Sequence, residues 1–198
     1  MSNYRLEGKT FVIDDYDRMP AFSSFLPGLA GVKGIPMWTF YTNRGQGMNS
    51  FGIDNKGNAI MEFNSANTAF ENTQVKGFRT FLKIDGQYYE PFFQYEDDAK
   101  RSIRMNKNSF KIIENNTKYG IEVTVNYYVL PNESIGALVR QVSVKNTGDK
   151  AKNIEIVDGL PKIITYGIAN GEFKEMSNLF KSWAYIKNID NKVPYYTL

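Results

Sequence analysis

Asp14, Asp15 and Asp17 are the densest carboxylate cluster in the chain, lying just after the apolar run from Thr10 to Ile13 and before Pro20. Carboxylates in that arrangement suggest acid–base work or cation binding. Glycoside hydrolysis needs a pair of carboxylates facing each other across a cleft, which spacing alone does not establish. A calcium loop needs roughly six to eight oxygens, usually from an Asp-x-Asp-x-Asp-Gly run, and that run is absent. The simpler reading is turn chemistry at a strand end, where Asp is at home. Glu96-Asp97-Asp98 reads the same way, as a surface bend.

The second candidate is the segment Asn43-Arg44-Gly45-Gln46-Gly47. Its glycines let the backbone approach a partner closely, and Arg and Gln supply planar donors. Trp38 and Tyr41 lie just upstream, so Trp38, Tyr41, Asn43, Arg44 and Gln46 are the candidate sugar or partner contacts. The competing reading is a glycine-rich hairpin with solvated side chains. The loop has neither a complete GxGxxG pattern nor a βαβ context, so it does not predict a nucleotide cradle.

Several chemistries are excluded outright. The 198 residues contain no His and no Cys. A Ser-His-Asp triad, a histidine- or thiolate-bound zinc, a thiol nucleophile and a disulfide framework are therefore impossible within this chain. No catalytic residue, cofactor or metal site is expected from these residues.

The charge is uneven, about −3 over residues 1–98 and +6 over 99–198. The basic excess is densest at Lys100, Arg101, Arg104, Lys107 and Lys111. Such a run could contact phosphate or an acidic surface, or be a solvated strand edge, the commoner case for charge runs. No RNP-like or P-loop motif accompanies it, so no nucleic acid partner is expected. Met1 to Glu7 carries no apolar h-region, and no apolar run approaches the ~20 residues of a membrane span. The expectation is a cytoplasmic protein with no membrane partner.

The elements that must position these groups are strands. Aromatic residues make up 15% of the chain, a composition that favours sheets. Ile121, Val123, Val125, Tyr127 and Val129 alternate with polar or amphipathic neighbours, as in a half-buried strand. Further strands are expected from Ile135 to Asn146 and from Ile154. Short turns such as Thr147-Gly148-Asp149-Lys150 would join these three into an antiparallel meander. Upstream, strands are expected at 10–13, 35–42, 48–53, 58–63, 77–84, 87–93 and 109–114. Asp85-Gly86 is a two-residue hairpin signal, and Asp54 to Gly57 a second turn. From Asn170 the period changes: Phe173, Met176, Phe180 and Trp183 recur at helical spacing, predicting one substantial helix over 171–186, capped by Asn170 and packed on the sheets. Lys192 to Leu198 looks like the start of another strand. The expected fold is a single all-β domain over 1–198, a two-sheet antiparallel β-sandwich with one helix near the C-terminus.

Some stretches also resemble a known family. Val139 to Lys150, with its Arg140 and Asn146-Thr147-Gly148-Asp149, continues through Ile154-Glu155-Ile156. It is similar to a signature of the N-terminal, supersandwich-like domains of glycoside hydrolase family 94, the phosphorylases related to cellobiose phosphorylase (formerly glycosyltransferase family 36). Phe11 to Asp14, Met19-Pro20, Leu26 and Gly45-Gln46-Gly47-Met48-Asn49-Ser50-Phe51 are similar to the opening of the same family. Asp158 to Gly167 looks most like the 1,2-β-oligoglucan phosphorylases.

The resemblance implies a fragment of a longer enzyme whose (α/α)6 barrel carries an Asp general acid, while phosphate attacks the anomeric carbon from the opposite face. It implies, too, that this domain is not catalytic: it would support its downstream catalytic domain and a homodimer, and border the site for a β-glucan oligosaccharide and phosphate. Two other readings stay open on residues alone. One is a stand-alone carbohydrate-binding module using exposed aromatics, and the other a small hydrolase using Asp14 or Asp17.

Overall fold

The computed structural model describes residues 3–51, 65–161, 169–183 and 185–197. In chain order the first strands are β1 (Tyr4–Glu7), β2 (Thr10–Asp14), β3 (Ser23–Ala30), β4 (Ile35–Thr42) and β5 (Met48–Phe51). Helix α1 (Ala66–Lys76) follows, then β6 (Arg79–Ile84), β7 (Gln87–Tyr89), β8 (Ala99–Met105) and β9 (Ser109–Asn116). The chain continues through β10 (Ile121–Val129), β11 (Leu138–Asn146) and β12 (Ile154–Gly159). Two short helices, α2 (Asn170–Glu175) and α3 (Ser177–Trp183), precede β13 (Tyr185–Lys187) and β14 (Tyr195–Thr197). The fold is all-β and sandwich-like. The strand expected at 58–63 and the turn at 54–57 lie outside the described residues.

One layer is a six-stranded antiparallel sheet in the order β1-β2-β8-β9-β10-β11. Facing it are two three-stranded sheets, β12-β6-β7 and β3-β4-β5. The period-two pattern explains the packing, because alternate residues of one strand share a face. Val123, Val125 and Tyr127 of β10 point inward with Ile103 of β8 and Phe110 and Ile112 of β9. Leu82 and Ile84 of β6 and Tyr89 of β7 meet them from the facing layer. Tyr41 of β4 adds a ring stacked on Phe110, with centroids 4.7 Å apart.

Three expectations change. The meander is β8 to β11, because β12 leaves the sheet and pairs with β6 across the sandwich. The seven residues 147–153 between β11 and β12 exceed a tight hairpin and carry the chain to the other layer. There the Asp85 amide donates to Asn153 O at 2.9 Å, and the Asn153 amide donates to Asp85 Oδ1 at the same distance.

Next, the longest described helix is α1, for which the sequence offered little. Its residues are mostly polar, and it is held by Ser65, whose Oγ accepts from the Thr68 amide, and by Lys76 in the last turn. It covers β4 and β5 through Ala69, which packs with Phe40, Met48 and Trp38.

Finally, the helix expected over 171–186 is two short ones. Backbone torsions of −111° and 20° at Met176 interrupt it, and Ala169 rather than Asn170 takes the N-cap position without a side-chain bond. Met176 and Trp183 are exposed, while the side chains of Phe173 and Phe180 lie outside the described residues. No described helix is long and apolar enough to cross a membrane.

Ile103 is fully buried at the centre of the six-stranded sheet. Ile103→Ala should lower unfolding free energy by about 2–5 kcal/mol, through lost burial and the cavity left behind. Urea titration should show a lower midpoint with an unchanged slope.

Candidate functional site

Strand parity sends two charged residues into the core. Arg101 shares a face with Ala99 and Ile103, Glu114 shares one with Phe110 and Ile112, and the two stand directly opposite in the β8–β9 register. Arg101 Nε donates to Glu114 Oε2 at 2.7 Å, with 4% and 0% of the two side chains exposed. The Phe92 amide also donates to Oε2, at 2.7 Å, and Tyr89 Oη donates to Oε1. Asn116 Nδ2 donates to Tyr89 Oη at 2.8 Å and to Glu96 Oε2 at 3.1 Å. Arg101 further reaches Gln94 O at 2.5 Å and Asp17 Oδ2 at 3.3 Å. Burial works against the Arg101 charge, but attraction to Glu114, with Tyr16 and Asp17, outweighs it and the guanidinium pKa rises. Burial, then Glu114, push the Tyr89 phenol up. Phe92, itself buried, is held at φ 63°, and its bond to Glu114 helps to hold that left-handed backbone.

This network takes apart two of the expected clusters. Asp17 turns inward to Arg101, whereas Asp14 pairs with exposed Arg5 on β1, so the three aspartates do not form one acidic site. Arg101 leaves the basic run altogether, because its parity matches the apolar residues of β8.

A second network forms around Arg140 on β11. Its Nε donates to Tyr127 Oη at 3.0 Å, its Nη1 to Asp158 Oδ2, and its Nη2 to Gln46 Oε1 at 2.5 Å and Thr80 Oγ1 at 3.1 Å. Thr80 Oγ1 donates to Asp158 Oδ1 at 2.6 Å, and Tyr127 Oη donates to Gln46 O at 2.5 Å. The guanidinium lies 4.9 Å from the Phe78 ring centroid. Burial pushes the Tyr127 phenol up to about 12, against the pull of Arg140.

The loop at 43–47 therefore does not project beyond the sandwich. Gly45 and Gly47, at φ 67° and 96°, curl it back onto β10, and Gln46 is only 2% exposed. Tyr41 is occupied by Phe110 and Phe22, and Trp38 packs on the Phe40–Met48–Ala69 cluster. Their odd spacing also puts Trp38 and Tyr41 on opposite faces of β4, a signal already present in the sequence. Asn43 donates to Met19 O at 3.2 Å, and half-buried Arg44 stacks 3.8 Å above the Phe70 ring of α1. The five candidates thus adjoin one another along the chain without sharing one accessible face.

Of the resemblance stretches, residues 162–167 lie outside the described residues. Asn146 closes the turn after β11, with Oδ1 accepting from the Gly148 amide at 3.0 Å and Nδ2 donating to Lys150 O at 2.7 Å. A concavity of about 480 Å³ opens between β3 and β10, lined by Leu26, Pro27, Met37, Tyr128 and Leu138 among others, with no carboxylate among its described lining residues. No protein-family model matches this chain, and no curated protein matches it.

Removing one partner of a buried ion pair strands the other charge, so Arg101→Met should cost about 3–5 kcal/mol. Chemical denaturation would measure that loss. Tyr127 yields a pH test. Below pH ~10 its phenol is neutral in both states, whereas above it the unfolded chain ionises while the folded phenol stays neutral until about 12. The folded state then holds the extra proton, so stability falls as pH rises through that window. The decline, followed by guanidinium titration at several alkaline pH values, should be shallower in Tyr127→Phe.

Proposed function

We propose that this chain is the non-catalytic N-terminal sandwich domain of an inverting glycoside phosphorylase. In such an enzyme a barrel Asp protonates the glycosidic oxygen of a β-glucan while phosphate attacks, releasing α-glucose 1-phosphate. The domain would support the (α/α)6 catalytic domain and the dimer, and border the active site.

One observation carries this reading. Gln46, Arg140 and Asp158 come from three separate stretches that resemble the family, and they meet in a single hydrogen-bonded clamp. A shared pattern that builds a clamp is what a scaffold domain requires. The charged residues of the core are likewise occupied with one another, Glu114 by three donors and Arg101 by Glu114, Asp17 and Gln94. Ile156 and Val157 on the edge strand β12 are exposed apolar residues that suit burial against another domain.

The test is phosphorolysis with 1,2-β-glucan oligosaccharides and phosphate, read as glucose 1-phosphate release. The 198-residue chain alone should be silent, and the same chain joined to a family barrel domain should be active. Turnover by the chain alone would overturn the reading. Micromolar β-glucan binding by the chain alone would favour the binding-module alternative instead.

A further inference from the structure

With Arg101 in the core, the rest of the basic run faces outward. Arg104 and Lys111 stand directly opposite each other in the β8–β9 register, and Lys111 in turn opposes Asn126 of β10. Like charges directly opposite in an antiparallel pair repel. The compensation on this face is small: Glu7 lies 3.4 Å from Arg104 Nη1 but is already held by Arg5 at 2.6 Å. Lys111 has no ion-pair partner among the described residues.

Two further observations point to a ligand here. Arg104 Nε and Asn126 Oδ1 are buried atoms with no hydrogen-bond partner among the described residues. A buried polar group left unpaired is costly and calls for an explanation. Both residues line one concavity of about 250 Å³, together with Thr10, Asn106, Ser109 and Lys111. Its lining has two cations, two hydroxyls and two amides, and no carboxylate. Asn126 can present either end of its amide by turning it over. A second, larger concavity, the 480 Å³ cleft, shares Ser109 and Asn126 with it and has mainly apolar walls.

We propose that this pocket binds a phosphoryl dianion, with Arg104 and Lys111 as its charge partners. The adjoining cleft receives the organic part when the ligand is a phosphate ester. An oxyanion between the two cations would remove their repulsion and give the unused Arg104 Nε–H an acceptor in a charge-assisted bond. The inference stands on this pocket alone and goes beyond the phosphorylase reading, in which phosphate belongs to the catalytic barrel.

Calorimetry and thermal shift on the 198-residue chain at pH 8 test it, with inorganic phosphate, glucose 6-phosphate and glucose as probes and chloride at matched ionic strength. Both phosphorylated probes should bind saturably and raise Tm, while glucose and chloride should not. Arg104→Gln and Lys111→Gln should each weaken binding about tenfold or more. Lys145→Gln, exposed on β11, should leave it unchanged. Without added anion, Lys111→Gln should be at least as stable as the parent chain, since its repulsion with Arg104 is gone. Tighter binding of glucose 6-phosphate than phosphate assigns the ester, and equal binding assigns free phosphate; either supports the site. No saturable response beyond chloride, or parental affinity in Lys111→Gln, overturns it.

Discussion

A carboxylate taken wholly out of water costs several kcal/mol unless its oxygens are satisfied, and Glu114 imposes that requirement on the centre of this fold. Its donors come from separate places: Arg101 from the neighbouring strand β8, Tyr89 from β7 in the facing sheet, and the Phe92 amide from the segment after β7. The two layers must therefore close over Glu114 in one arrangement. A sandwich held by apolar contacts alone tolerates small slides, because burial is non-directional. A saturated carboxylate does not. A one-residue slip of β9 would turn Glu114 outward and leave Arg101 without its partner.

Arg140 does for the other side of the core what Glu114 does for its centre. Its planar fork reaches Tyr127 on β10, Thr80 on β6, Asp158 on β12 and Gln46 after β4. Those residues belong to the six-stranded sheet, to the sheet that faces it, and to the loop between β4 and β5. One guanidinium thus ties β11 to its neighbouring strand, to the facing β12-β6-β7 sheet and to the β4–β5 loop. Lys could not take its place, since an ammonium lacks the fixed multi-donor geometry and the flat face that lies over Phe78.

The buried charges Arg101, Glu114, Asp17 and Arg140 are thus committed to structure, and the proposed recognition falls to the outer surface. There the balance is reversed. Arg104 and Lys111 are placed together at a cost, with little nearby acid to offset them. The proposed site needs no catalytic group, because binding needs only positioned charge and donors, whereas proton transfer needs a group free to gain and lose a proton.

Much of the architecture was legible in the chain. Alternation located β10 at Ile121–Val129, because a strand buried on one face writes period two into its own residues, while a run apolar on both faces located β4 at Ile35–Thr42 and Asp85-Gly86 marked the β6–β7 hairpin. The same parity was available for Arg101 and Glu114, yet charge makes such residues look solvated until a partner is known. Helix α1 was not legible, since a mostly polar segment shows little periodicity and its stability comes from Ala69 meeting Phe40 and Met48. The exit of β12 to the other layer, the inward curl of Gln46 and the pairing of Asp17 with Arg101 were also hidden. Each depends on residues far apart in the chain, 84 positions in the last case. By itself the sequence determined the all-β class, the position of most strands and the absence of His and Cys chemistry, because those follow from composition and local period. Only the tertiary structure decided which charges are buried as structure and which are left facing solvent, because that depends on strand register and on the layer each strand joins.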